Sequence, residues 1–137
     1  MSVNTKPIGV AYEDQNIVGS DRILSSGELG YTTAAQGTVT QATSKSTAVT
    51  LNSSAGQITM NNASLGATTN VTFTLNNSYI SSNDIVILNV SGGATAGAYN
   101  CFVSGLGAGT ASITLRNISA GSLSEAVVIN FAIIHCA

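Results

Sequence analysis

Residues 70–75 read Asn-Val-Thr-Phe-Thr-Leu, and residues 111–116 read Ala-Ser-Ile-Thr-Leu-Arg. In both, large apolar side chains recur at every second position: Val71, Phe73 and Leu75 in one, Ile113 and Leu115 in the other. Successive side chains of a strand point to opposite faces, so this spacing gives each segment one apolar and one polar face. Threonine suits the polar face because its branched Cβ fits a pleated surface while its hydroxyl stays hydrated.

Outward from these two segments the same composition recurs in short runs rich in Val, Ile, Thr and Phe, divided by Gly, Asn and Ser. Strands are expected near 38–43, 47–51, 57–60, 70–75, 84–90, 98–104, 111–117 and 126–134. Eight short strands predict an all-β chain folded as an antiparallel β-sandwich, for which an eight-stranded jelly roll is one solution. Gly92-Gly93, Asn76-Asn77 and the series Gly105, Gly107, Gly109 supply turn residues that tolerate positive φ. The glycine series lacks the lysine and the strand-to-helix setting of a phosphate loop.

Charge divides the chain. Lys6, Glu13, Asp14, Asp21, Arg22 and Glu28 precede residue 37, leaving Lys45, Asp84, Arg116 and Glu125 for the rest. The step predicts two regions, an extended N-terminal arm over residues 1–36 and a β-sandwich domain over 37–137. The arm carries short apolar clusters at Ile8 to Tyr12, Ile17 to Val18 and Ile23 to Leu24, without sustained helical or strand period. Extended arms of this kind cover much surface at modest affinity per area.

Two runs do not alternate: Ile85-Val86-Ile87-Leu88, and Val127-Val128-Ile129 continuing through Phe131 to Ile133-Ile134. A strand apolar on both faces needs a second cover, which a two-layer sandwich does not supply. The arm, a loop or a neighbouring subunit can supply it, and a homo-oligomer is expected ahead of a well-wrapped monomer, with Ile85, Ile87, Val128, Phe131 and Ile133 as its candidate contacts.

Polarity comes from 18 Ser, 16 Thr and 13 Asn, because charged residues make up only 7% of the chain. Such a neutral surface hydrates well yet does little to repel other proteins, and suits permanent assembly. Four basic residues against a net charge of −2 leave no cluster to neutralise phosphates, so nucleic acid is not an expected partner. No signal-peptide core opens the chain, and its longest apolar run falls far short of the ~20 residues of a membrane helix, so neither secretion signal nor membrane insertion is expected.

Chemistry has few carriers. His135 is the only histidine, and no serine-histidine-aspartate arrangement is read from it. Glu13 and Asp14 stand on the arm, while Asp84 and Glu125 each precede an apolar strand, where a charge ends burial and discourages edge pairing. With no Trp and four Tyr, platforms for sugars are scarce. The acids are too few and scattered for a calcium loop, and Cys101 and Cys136 read as buried free thiols. Six Asn-x-Ser/Thr matches, at Asn52, Asn62, Asn70, Asn76, Asn89 and Asn117, reflect composition. No catalytic residue, cofactor or metal is expected.

The opening Pro7-Ile8-Gly9-Val10-Ala11-Tyr12, followed by Asp14 and Ile17, resembles the start of small structural proteins of tailed bacteriophages. GTVTQATSKSTAVTLN from Gly37, GQITMNNA from Gly56 and SLSEAVVINFAII from Ser122 are similar to a β-rich module of phage virion proteins, among them head fibres, decoration proteins and tail-fibre parts. The resemblance covers most of the chain, consists of packing and turn patterns, and carries over no functional residue. It implies a place on the virion after assembly in the bacterial cytoplasm. One short arm and one compact domain fit a capsid decoration or short head-fibre protein; the resemblance then implies that the arm, with Ile8, Val10, Tyr12, Ile17 and Val18 as anchors, lies on the major capsid protein or another virion protein or swaps between subunits, while the β-domain projects, a trimer being favoured. The alternatives are a tail-fibre or surface module binding a receptor or host-surface glycan, and a soluble lectin.

Overall fold

Apolar rows at two-residue spacing close against one another in the computed structural model, which describes residues 18–136. After a short 3-10 turn at Thr33–Ala35, the chain forms β1 (Gln36–Thr40), β2 (Val49–Thr50), β3 (Ala55–Thr59) and β4 (Asn70–Asn76). There follow β5 (Ile85–Gly92), β6 (Tyr99–Gly107), β7 (Thr110–Asn117) and β8 (Val128–Ile134). All eight expected segments are strands, with modest differences at their ends; β6, for instance, runs on past Ser104 to Gly107. No helix among the described residues is long and apolar enough to cross a membrane.

The strands form two four-stranded sheets, a front sheet in the order β1-β3-β8-β5 and a back sheet in the order β2-β4-β7-β6. The β-sandwich expected from the sequence is the fold, but its sheets are mixed, not wholly antiparallel. β1 pairs with β3 in parallel, as does β2 with β4, while the other four pairs are antiparallel. Parallel pairs also depart from a jelly roll, which is built from antiparallel Greek keys.

The reason lies in the connections. From β1 to β6 each strand lies in the sheet opposite its predecessor. A chain that runs up one sheet, down the other and back returns in its starting direction, so alternate strands become parallel neighbours. Only β6 and β7 form a hairpin, closed through Ala108 and Gly109, and Gly109 takes the positive φ (+73°) that this tight turn requires.

The core lies between the sheets. In the front sheet Val39, Ile58, Ile129 and Val90 align across four strands; in the back sheet Phe73, Ile113 and Val103 align across three. Ile58, Ile113, Leu115, Ile129 and Ile133 are wholly buried. Burial of each such side chain contributes about 1.5–3 kcal/mol relative to exposure.

Buried amides hold the loops. Asn117 donates through Nδ2 to the carbonyls of Leu65 (2.9 Å) and Gly121 (2.8 Å), and its Oδ1 accepts from Ser119 N–H and Oγ. Gln41 donates to the carbonyls of Lys45 and Thr47 and accepts from Asn61 N–H. Asn77 joins Ser53 to Tyr79 in the same way. These groups are buried because each replaces its water contacts with backbone partners.

Candidate interaction surface

The outer face of the front sheet carries exposed apolar side chains. None of its four strands contains a charged residue. Its side chains fall into rows set by register: Ile85 beside Ile134; Ile87 beside Ala132 and Ala55; Asn89 beside Asn130, Gln57 and Thr38. One end of the face is therefore apolar and the other amide-rich. Ile85, Ile87 and Ile134 are each about half exposed, at 54%, 51% and 49%.

The arm joins the domain at the apolar end. The Tyr31 hydroxyl donates to the Ile133 carbonyl, and Gln36 Nε2 donates to the Tyr31 carbonyl at 3.0 Å. Before that anchor, residues 18–30 are exposed throughout, including Val18 (89%), Leu24 (83%) and Leu29 (90%). Of the expected arm anchors, Val18 is thus in solvent, while Ile8, Val10, Tyr12 and Ile17 lie outside the described residues.

Beside Tyr31 a shallow cleft of about 570 Å³ opens over the amide-rich end, lined in part by Gln36, Thr38, Gln57 and Asn130. Gln57 Nε2 donates to Asn130 Oδ1 at 3.0 Å, and Ser91 Oγ donates to the same oxygen at 2.9 Å. The cleft wall is neutral, and its amides are partly engaged with one another.

The expected oligomer contacts divide between the two faces. Ile85 and Ile87 point outward, as does the partly buried Val128. Phe131 and Ile133 point inward and belong to the sandwich's own core, at 3% and 0% exposure, so they offer nothing to a partner. The run from Val127 is thus apolar on both faces for two reasons, with only its even-numbered residues turned outward. Ile134, on that outer parity, was not among the expected contacts. Asn130 is the signal that identifies it, since a polar residue midway along β8 marks the outer face and assigns Val128, Ala132 and Ile134 to it. Tyr31 had no such signal.

With this geometry in view, the chain matches no family model, no curated protein and no solved structure.

The ionisable groups serve the framework. Asp84, expected to sit exposed before β5, is buried instead: its Oδ2 accepts from Ser81 N–H (2.8 Å) and lies 3.0 Å from His135 Nδ1, and its Oδ1 accepts from Cys136 N–H (3.1 Å). The Ser81 N–H foremost, with those of Cys136 and His135, holds the carboxyl down to about 2 against the opposing effect of burial. His135 is half exposed on the outer side of this pair.

Glu125 accepts from Thr95 Oγ1 (2.6 Å) and N–H (3.1 Å), which lower its pKa. Lys45 is buried and donates to the carbonyls of Asn61 and Glu125; burial lowers its pKa while Glu125 works in the other direction. The Tyr99 hydroxyl is buried with no hydrogen-bond partner among the described residues, and desolvation with Glu125 nearby pushes it up to about 12. Cys101 and Cys136 are free thiols, as expected, but Cys136 is exposed and Cys101 only partly buried. No group of three or more metal-ligating side chains occurs among the described residues.

Proposed function

We propose that this protein is a non-enzymatic structural subunit of a tailed-phage virion, a capsid decoration or short head-fibre protein that attaches through its N-terminal arm and projects its sandwich. The observation that carries the reading is the arm beyond the Tyr31 anchor, where Val18, Ile23, Leu24 and Leu29 stand 65–90% exposed. Four large apolar side chains on an irregular segment gain nothing in the isolated domain. Laid on a partner surface, each contributes on the order of 1.5–3 kcal/mol, offset by the cost of ordering the segment. The likeness of Pro7–Tyr12 and of three later stretches to phage virion proteins supports the virion as that partner's location.

Assembly as a homotrimer follows the same reasoning, since the uncharged front sheet leaves Ile85, Ile87 and Ile134 half exposed on one face. Deletion of residues 1–36 abolishes attachment to particles and leaves the sandwich folded. Retained attachment of the truncated chain would overturn the reading. Copy number in purified particles then separates head from tail: stoichiometry comparable to the major capsid protein marks a capsid component, and stoichiometry comparable to tail parts does not.

A second reading, a tail-fibre or surface module that binds a host glycan, draws on the neutral cleft beside Tyr31. It requires glycan binding by the purified protein that Gln57→Ala weakens. Attachment lost with the arm and no glycan binding at all would leave the first reading alone.

A further inference from the structure

Strand β5 forms one lateral edge of the front sheet, and the direction of its hydrogen-bonding groups follows from the register. Ile133 N–H donates to the Ser54 carbonyl at 2.9 Å, so the odd-numbered residues of β8 turn their backbone groups toward β3 and the even-numbered ones toward β5. Ile85, Ile87 and Asn89, opposite Ile134, Ala132 and Asn130, therefore bond to β8. Val86, Leu88 and Val90 direct their N–H and C=O groups away from it, where no partner meets them among the described residues.

Edges of this kind are usually protected by charge, proline, shortness or a central bulge. β5 is eight residues long, has neither charge nor proline, and its irregularity lies near its far end, between Val90 and Gly92. Beside the open edge lies the apolar end of the outer face, formed by Ile85, Ile87 and Ile134.

We propose that residues Ile8 to Tyr12 of a neighbouring copy of this chain add to the free edge of β5 as a further strand. The segment reads Ile-Gly-Val-Ala-Tyr, with large apolar side chains at 8, 10 and 12 and small residues between. In an extended conformation one face is apolar and the other nearly bare. Set beside β5, the large side chains extend the rows of Ile85 and Ile87. Only Gly9 and Ala11 then face the inner layer, on the flank where β5 lies over β6.

The length of the arm lets it reach a neighbouring copy. Seventeen residues precede Val18, the first described residue. Residues 13–30, between the donor segment and the Tyr31 anchor, reach about 60 Å when extended. That is about twice the span of an eight-residue strand at ~3.4 Å per residue. The described part of this stretch is exposed from Val18 to Gly30, so little of it packs on its own sandwich. Each copy donating to the next is a head-to-tail contact that can close into a ring, the symmetry of a trimer. The inference rests on reading residues 1–36 as an assembly arm, and it names the surface that the arm uses.

The full-length protein tests it through sedimentation mass and residue-resolved amide hydrogen exchange. The wild type is expected to be an oligomer in which the Val86, Leu88 and Val90 amides exchange slowly. The double variant Val10→Pro, Ala11→Pro, which removes an N–H directed at β5 whichever way the added strand runs, and the double variant Ile85→Lys, Ile87→Lys, which charges the receiving rows, are each expected to yield a monomer. In both, protection of those three amides is lost while that of Ile58 and Ile129 in the core persists.

A wild-type oligomer with fast-exchanging β5 amides overturns the proposal, as does a monomer with slow ones, in which the arm folds on its own sheet. Retention of mass and protection in Val10→Pro, Ala11→Pro also overturns it. Particle attachment is scored separately: attachment that depends on residues 1–36, with β5 unprotected in the wild type, removes this inference alone. A protected β5 in an oligomer that never binds particles removes the virion reading alone.

Discussion

Asp84 Oδ2 lies 3.0 Å from His135 Nδ1, joining residues 51 apart in the chain. The same carboxylate accepts from Cys136 N–H, so the entrance to β5 is fastened to the end of β8 just where these two strands begin their pairing at Ile85 and Ile134. The clasp holds the border of the apolar patch.

Its charge gives it a pH dependence. The Asp84 carboxyl titrates at about 2 in the folded chain, below the value of about 4 usual for an unfolded Asp. A depressed carboxylate contributes stability that is present above about pH 4 and lost as pH falls toward 2. Asp84→Asn is expected to lower the urea midpoint at neutral pH and to flatten its decline across that acid window. An unchanged midpoint and slope in the variant would show the clasp to be inert.

Neighbouring residues of β8 should respond in opposite ways. Ile133 is wholly buried and Ile134 half exposed. Ile133→Ala is expected to cost about 2–5 kcal/mol through lost burial and the cavity left behind. Ile134→Ala is expected to cost less than about 1 kcal/mol in a monomeric variant. Denaturant unfolding of both, in the background of Val10→Pro, Ala11→Pro, makes the comparison.

Two adjacent glycines give a similar contrast. Gly93 holds φ +62°, and a Cβ there would stand 2.1 Å from the Ala126 carbonyl oxygen, whereas one on Gly92 meets nothing within 4 Å. Gly93→Ala should destabilise by about 2 kcal/mol or more, from backbone strain and the clash together. Gly92→Ala should stay within about 0.5 kcal/mol. Thermal melts of the pair decide it.

Lys45 ties the loop after β1 to the segments carrying Asn61 and Glu125. Lys45→Met preserves the buried stem but leaves both carbonyls without their donor. The expected loss is about 1–3 kcal/mol, read from the urea midpoint at neutral pH. A variant as stable as the wild type would mean that water replaces the ammonium.

The two thiols should differ in reactivity. Desolvation pushes Cys101 up to about 11, and Cys136 is exposed. Thiolate is the reacting form, so a disulfide reagent near pH 8 should label Cys136 rapidly and Cys101 only on unfolding. Cys136→Ser should abolish the fast phase.

Much of the fold was legible because side-chain alternation is a local property. Val71, Phe73 and Leu75 identify an inner face wherever their strand lies, and the same holds for Ile113 and Leu115. Asn130 could have oriented β8 in the same way and separated Ile133 from Ile134. The first strand begins at Gln36, next to the position where charge falls away.

The partnerships of these strands were not legible. Whether β1 meets β2 or β3 depends on the path of the arches between sheets, and Gln36–Thr40 carries no mark of the parallel partner Ala55–Thr59. Nor does the sequence show that Asp84 will be enclosed by Ser81, His135 and Cys136, or Lys45 by Asn61 and Glu125, since each group is made tolerable by partners distant in the chain.

The sequence by itself determined eight strands, the inner faces of those that alternate and a sparsely charged composition, because period-two patterning and residue chemistry act within a few positions. Only the tertiary structure decided which strands pair, which apolar residues of β5 and β8 remain outside, and that Val86, Leu88 and Val90 present an open edge. Hydrogen-bond partners in a sheet are chosen by which segments meet in space, and that choice is made between residues tens of positions apart.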